Sequence, residues 1–335
     1  MTKFNFQTKK QINFIAQSKY AFIISAICVV LSIFGLFYKG LDKGIDFVGG
    51  ILVEVQSEEN IDMGKMRSQI SALKLGETNL QSVGTSGNEM LIHVVVDTTD
   101  KAVQEKVISQ IKGSLGDGFE YRRIEVVGPK VGAELLNKSI WAAILALVAI
   151  ALYIWFRFEW QFSLVCLIAL AHDLLVTVGL FAWTGLDFNM TVVAGLLSMA
   201  GYVTNDKVVN FDRVRENLRL YHKMPIPELL NKGLNEMLSR TLITSVTTLI
   251  MLVILIFFGG ETLFGFSVCL AFGVIIGTYS SLYLAVPMLS LFDLRIIGSK
   301  AEETGPYAEA SKYEMEAKKE PLGQYSRYNK GCRRK

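Results

Sequence analysis

Six stretches of about 18 or more mostly apolar residues dominate this chain, and over such a length in hydrocarbon only a helix satisfies its own backbone. They cover residues 20–38, 139–156, 162–184, 190–211, 240–258 and 266–292. The first has an apolar run of about 19 residues, too long for a signal-peptide core, and no A-x-A cleavage site follows it, so it reads as a permanent anchor. As a soluble protein, 335 residues would suggest about two domains. The composition argues otherwise. The 51% apolar share rises to about 56% when the 28 glycines are added and the 12 tyrosines left out, against about 45–50% in soluble domains, and charged residues fall to 19%. With a mean hydropathy of +0.36, an ordinary cytosolic enzyme and a disordered or fibrous chain are both excluded. The net charge of +3 provides no global field for nucleic acid. Cys28, Cys166 and Cys269 lie inside apolar runs and Cys332 in a polar tail, a distribution that builds neither a disulfide framework nor a zinc site.

Cationic loops stay on the cytoplasmic side, which fixes orientation. Lys3, Lys9, Lys10 and Lys19 precede the first span, Arg157 lies between the second and third, and Arg213, Arg215, Arg219, Lys223 and Lys232 lie between the fourth and fifth. The segments 185–189 and 259–265 carry no Lys or Arg. Both termini are therefore expected in the cytoplasm, in the inner membrane if the cell is bacterial. The expected division is a cytoplasmic arm (1–19), a first transmembrane helix (20–38), a periplasmic domain (39–138), a five-helix transmembrane region (139–292) and a flexible basic tail (293–335). Long domains cross the membrane whatever their charge, so the basic residues of 39–138 do not oppose export.

That exterior segment has the periodicity of a folded domain. Residues 51–56 alternate as a strand, 63–73 read as a helix, and 80–83 with 89–96 form a hairpin about the Gly84-Thr85-Ser86-Gly87-Asn88 turn. Residues 102–115 are a second helix with Val103, Val107, Ile108 and Ile111 on one face, and 121–127 close as a strand. The order β-α-β-β-α-β is the ferredoxin-like split motif. The expected fold is thus an α-helical integral membrane protein of six transmembrane helices with one α+β ferredoxin-like extracytoplasmic domain.

Ionisable residues inside a membrane are costly and mark function. Asp173 sits mid-way along the third span with His172 beside it, Asp206 lies in the fourth span between Asn205 and Lys207, and Arg240 begins the fifth. Asp206 is 17 residues from Asn189 and Arg240 is 18 from Phe258. At 1.5 Å per residue these depths are about 25 and 27 Å, so on antiparallel neighbours an Asp206–Arg240 pair is expected. One reading is a proton relay, because desolvation drives a carboxylate toward its neutral form whereas a nearby guanidinium drives that carboxylate toward its charged form. Arginine would be its fixed cation. The other reading is a static helix–helix bridge with Lys207 snorkelling to the headgroups. Gly195, Ser198, Gly201 and the Gly273-x-x-x-Gly277 pair read as close-packing positions. Pro287 is expected to bend the last span. The run from Gly44 through Asp46 to Gly49 and Gly50 reads as a hinge where the anchor enters the domain, with Asp46 capping or pairing locally.

These residues carry a resemblance. Gly44-Ile45-Asp46-Phe47-Val48-Gly49-Gly50, Val127-Gly128-Pro129-Lys130-Val131-Gly132, Ala171-His172-Asp173, Gly201-Tyr202 with Asn205-Asp206, Asp212-Arg213-Val214-Arg215-Glu216-Asn217 and Ser239-Arg240-Thr241-Leu242-Ile243-Thr244-Ser245 resemble the SecF family of bacterial protein-export subunits, a branch of the RND superfamily of proton-driven transporters. The match spans residues 39–294. The glycine motif is shared with the sister SecD; the single exterior domain of about a hundred residues and the Asp-Arg-Val-Arg-Glu-Asn run favour SecF. The resemblance implies half of a twelve-helix core completed by a SecD-like chain. It further implies association with the SecYEG channel, SecA and YajC, preproteins as substrate, contact with membrane lipids but not nucleic acid, and use of the proton-motive force late in translocation. It assigns Asp206 and Arg240, and more weakly Asp173, to the proton pathway, with His172, Asn205 and Lys207 as modulators. Lys207 departs from the family, where a small or hydroxyl-bearing residue is usual. On a helix its neighbourhood to Asp206 means a divergence of about 100°, which would let it face headgroups. Lys318, Lys319, Arg333, Arg334 and Lys335 in the tail read as solvated, or as touching anionic lipid or the ribosome.

The rivals are half of an RND-type exporter of lipids or small molecules and a passive scaffold of the translocon. An enzyme is least expected: neither soluble region carries a nucleophile–base constellation, a phosphate loop or a metal-ligand spacing, and no cofactor is expected.

Overall fold

The computed structural model describes residues 11–76, 78–83, 87–96, 100–116 and 118–294. Expectations resting on Lys3, Lys9, Lys10, the 84–86 tip of the hairpin turn and the 295–335 tail lie outside these residues. Asn13 opens the first helix, α1 (Phe14–Tyr38), by accepting the Ala16 amide on its side chain. Asn231 and Asn235, further along the chain, receive the Ile15 and Ile12 amides and fasten this start in place.

A small sheet unit follows, in the order α2 (Ile45–Val48), β1 (Gly50–Ser57), α3 (Met63–Ala72), β2 (Thr78–Val83), β3 (Glu89–Val94), α4 (Lys101–Leu115) and β4 (Phe119–Val127). The strands pair antiparallel in the order β2-β3-β1-β4. Period-2 alternation decides the faces. Ile51, Val53 and Val55 of β1 join Met90, Ile92 and Val94 of β3 and pack with Ile70, Val107 and Ile111 of the two helices into one core. Leu52, Glu54 and Leu91 point to the opposite face.

Four long helices come next: α5 (Pro129–Arg157), α6 (Trp160–Thr184), α7 (Met190–Leu220) and α8 (Ile226–Phe258), then α9 (Gly260–Ser280). Past α9 the chain makes a π turn at Ser281–Ala285 before Val286–Met288 resumes the α form. Pro287 lacks an amide hydrogen and its ring crowds the carbonyl one turn back, which accounts for the widened turn there. Among the described residues five stretches are long and apolar enough to cross a membrane: Phe14–Tyr38, Pro129–Arg157, Trp160–Thr184, Ile226–Phe258 and Thr262–Leu291. The expected fourth span, α7, is not among them. Asn205, Asp206 and Lys207 lower its hydropathy, and its Thr204, Lys207, Asn210 and Asn217 are buried inside the bundle. Its polarity is turned inward.

The sheet unit is seated on the end of the bundle where α6 meets α7. The Gly44 amide bonds the Phe188 carbonyl at 3.0 Å and the Phe188 amide the Asp42 carbonyl at 2.7 Å. Gln81 donates to Asp187 at 2.9 Å, and Arg123 donates to Thr262 at the start of α9 at 2.9 Å. Within the bundle, α7 and α9 approach closely because Gly273 and Gly277 face Met199 and Val203; a Cβ on either glycine would collide with those side chains. Gly277→Ala is expected to cost about 1–3 kcal/mol through overpacking, read as a lower thermal midpoint of the purified chain. Gly201→Ala, whose Cβ would meet nothing within 4 Å, should melt like the parent.

Candidate functional site

Three helices bring a charged network into the bundle interior. Asp173 of α6 and Lys207 of α7 are both fully buried, and Lys207 Nζ lies 2.7 Å from Asp173 Oδ2. Ser280, the last residue of α9, donates its hydroxyl to the same Oδ2 at 2.7 Å. His172 Nδ1 lies 2.9 Å from the other oxygen. Beside them Thr177 donates to the Asp173 carbonyl at 2.8 Å, and Asn210 donates to Ser281 of the π turn at 2.8 Å. Both carboxylate oxygens of Asp173 are thus occupied, and its charge is neutralised inside the bundle. A buried pair of this kind persists because each partner would be prohibitive alone.

Asp206 is differently placed. Its Oδ1 accepts the Thr241 hydroxyl at 3.0 Å, whereas its Oδ2 is buried with no hydrogen-bond partner. Thr204 Oγ1, Asn210 Oδ1 and His172 Nε2 are also buried and unpartnered among the described residues. Buried polar atoms are nearly always satisfied, so these exceptions single out α7 and its neighbour α6 as the polar part of the bundle.

The expected Asp206–Arg240 pair is not formed: among the described residues Asp206 meets Thr241, and Arg240 makes no ion pair. The depth arithmetic was right to within one residue, and the azimuth was not. Successive helical residues diverge by about 100°, so with Thr241 buried toward α7, Arg240 stands on the exposed side of α8. Asn205 on α7 is likewise exposed. Lys207 also differs from expectation, since it neither snorkels nor faces headgroups but is spent on Asp173. The signal that could have found this pair was the lysine itself: a lysine in the inward polar stripe of a bundle helix needs a carboxylate, and Asp173 lies mid-way along the neighbouring one.

The glycine-rich run also proves more fixed than a hinge. Ile45–Val48 is a turn of helix, and Gly49 (φ 80°) and Gly50 (φ 132°) lead into β1 in backbone conformations that a side chain would strain. A Cβ on Gly49 would run into Pro129 at the start of α5. Asp46 Oδ2 accepts the Met190 amide at 2.9 Å, adding an anion to the N-terminus of α7, where Asn189 already caps Val192. The same helix that carries Asp206 and Lys207 is therefore tied to the sheet unit at its first residue. At its other end the charged run is cross-linked: Asp212 to Arg157 at 2.8 Å, Arg213 to Glu236 at 2.7 Å and Arg215 to Glu159 at 3.0 Å.

Residues 107–295 match the family model described as protein export membrane protein SecD/SecF, C-terminal, and residues 34–61 match the SecD/SecF GG motif. The chain belongs to the SecD/SecF family. Protein translocase subunit SecF of Rickettsia rickettsii (strain Sheila Smith) is 42% identical over 282 residues, 82% of this chain and 91% of that one. The same subunit of Rickettsia prowazekii (strain Madrid E) is 40% identical over 301 residues, 89% and 96% of the two chains. Among solved structures, SecDF from Thermus thermophilus, titled a translocon-associated membrane protein, is similar with a TM-score of 0.75 at 31% identity over 84% of this chain. SecDF in its super-membrane-facing form is similar with a TM-score of 0.63 at 29% identity over 89% of this chain. The chain spans only 38% and 41% of those two polypeptides. Within the SecD/SecF family match lie the tie from Asp46 to α7, the Asp173–Lys207 pair and Asp206 with its unpartnered oxygen.

Proposed function

We propose that this chain is a SecF-type subunit of the protein translocation machinery that couples proton movement through the bundle to motion of its exterior domain. The observation that carries the proposal is the buried, unpartnered Oδ2 of Asp206. A proton can be accepted there, and the neutral and charged carboxyl would then make different contacts with α8. Arg240 is the fixed cation, standing on the exposed side of α8 and making no ion pair among the described residues, where a second membrane chain can supply its counter-charge. Asp173 acts through Lys207, holding that cation one residue from Asp206, with His172 and Asn205 flanking the pathway. Met190, bonded to Asp46, lies 16 residues from Asp206 on one helix, about 24 Å along the axis. A shift of α7 would therefore be felt by the sheet unit.

In this reading the bundle comprises six spans, with α7 the sixth, tolerated in hydrocarbon because its polar side chains face protein. The sheet unit, with its β-α-β-β-α-β order, is the ferredoxin-like domain. The Lys and Arg distribution puts both termini in the cytoplasm, residues 39–138 in the periplasm and the bundle in the bacterial inner membrane. A SecD-like chain completes a twelve-helix core, and SecYEG, SecA, YajC and the preprotein are its further partners. No enzymatic chemistry is assigned to it. The test is purification from native membranes followed by late-stage preprotein release from membranes with and without the chain. Recovery of a SecD-like chain at near-equal amount, and release that needs both the chain and a proton gradient, are the expected results. Normal release with accumulation of a lipid would favour the exporter reading, and release indifferent to the gradient would favour the scaffold.

A further inference from the structure

The second face of the sheet is only partly open to solvent. It is laid over the end of the bundle, and between them lies a cavity of about 380 Å³ lined by β1, β3, β4, the 185–189 segment and the junction of α8 with α9. Its size falls at the low end of ligand pockets, room for a side chain rather than a folded partner. On its sheet side stands Glu54, at the middle of the central strand and only 8% exposed. Among the described residues Glu54 makes no hydrogen bond or ion pair, although Arg123 is its cross-strand partner in the register. Arg123 is engaged elsewhere: Nε bonds Glu125 at 2.7 Å and Nη1 bonds Thr262 at 2.9 Å. Arg122 pairs with Glu89 at 3.0 Å. The two lining guanidinium groups thus bond other partners and reach Glu54 only through space, where burial outweighs them, so Glu54 faces the cavity as a desolvated acid.

The charges around Glu54 determine what would fill the space. Glu89 from β3, Arg122, Arg123 and Glu125 from β4, Asp187 from the α6–α7 segment and Asp46 from α2 line the cavity with it, five carboxylates against two guanidinium groups. With every group ionised the excess is negative by three, and burial raises the Asp187 carboxyl as it does that of Glu54. Among the described residues no group of three or more His, Cys, Asp and Glu is arranged to hold a metal ion, and the negative lining suits an organic cation. A zwitterionic lipid headgroup would bring a phosphate into a negatively charged cavity whose arginines are already engaged. A basic side chain brings the cation alone.

We propose that this cavity receives the ammonium or guanidinium group of a lysine or arginine side chain on a polypeptide passing the exterior face of the protein, with Glu54 as its counter-ion. The proposal rests on the translocation reading for the identity of the polypeptide, but not for the site's chemistry. Burial holds the Glu54 carboxyl above the usual carboxylate range, so the empty site keeps its proton to higher pH than an exposed glutamate. Binding a cation expels that proton. Affinity therefore falls as pH is lowered through the raised pKa, because the protonated acid offers no charge.

The test uses the purified full-length chain in nanodiscs of phosphatidylcholine, without a proton gradient and without partners. Calorimetry compares the acetylated, amidated tripeptide Ala-Lys-Ala with its norleucine counterpart. The lysine peptide is expected to bind at least tenfold more tightly at neutral pH, and Glu54→Gln, which keeps the shape of the side chain, should abolish that preference and most of its pH dependence. Equal affinity of the two peptides for the unmodified chain would overturn the proposal whether or not the variant folds. So would a preference that survives Glu54→Gln. Displacement of the lysine peptide by phosphatidylethanolamine in the nanodisc, in a Glu54-dependent way, would assign the cavity to an aminolipid and overturn the polypeptide. Because no gradient is involved, failure here leaves the proton-coupled function standing, and loss of gradient-dependent release leaves this site standing.

Discussion

Replacing Lys207 with methionine is expected to destabilise the chain by about 3–5 kcal/mol, the cost of leaving one partner of a buried ion pair uncompensated. The variant is unbranched, one atom shorter and keeps most of the apolar stem, so the loss reports chiefly the charge. Asp173 would retain the Ser280 hydroxyl and His172, but it would have no cation in an interior where neither residue has any solvent exposure. The decisive comparison is the double variant Asp173→Asn with Lys207→Met. Removing both charges relieves the desolvation of each, so the double variant should recover most of the lost stability. Thermal unfolding of the purified chain in one detergent reads all four members of the cycle. If Lys207→Met melts with the parent, or if the two substitutions simply add, the pair is not what holds these helices in register.

The sheet unit was legible in the sequence because its signals are local. The alternation of Ile51, Val53 and Val55, the apolar spacing of Val107 and Ile111, and a turn centred on glycine determine elements a few residues long, and the observed bounds differ by one or two residues. The bundle's site was legible in depth but not in rotation. Counting from the span ends put Asp206 level with α8, yet one residue's difference, Thr241 for Arg240, turns a bridge into a hydroxyl contact. The Asp173–Lys207 pair escaped the same arithmetic, since their depths differ by about 10 Å. Side chains on a helix lean toward its own N-terminus. In antiparallel α6 and α7 the two therefore lean toward each other, and the long lysine closes the gap. Glu54 escaped for another reason: in sequence it is the expected polar position of a half-exposed strand, and only the seating of the sheet on the bundle makes it buried.

Asp206→Asn is expected to reduce gradient-dependent preprotein release to the rate seen without a gradient, while leaving the fold intact. Asparagine is nearly isosteric and its Oδ1 can still accept the Thr241 hydroxyl. What it loses is the capacity to take up a proton at the second position, the atom that the bundle buries without a partner. Thr241→Val separates the contact from the charge. It removes the hydroxyl that positions Asp206 but keeps the carboxyl, so release should slow and retain its response to the gradient. Arg240→Met addresses the remaining cation. Because Arg240 is exposed on α8 and makes no ion pair among the described residues, its loss should not lower the thermal midpoint of the isolated chain. In membranes holding the complete complex, however, the same variant should abolish gradient-dependent release as fully as Asp206→Asn. That contrast, stability unchanged alone and function lost in the assembly, is what a cation completed by a second chain requires. Gradient-dependent release at the parental level in both Asp206→Asn and Arg240→Met would remove these residues from the proton pathway.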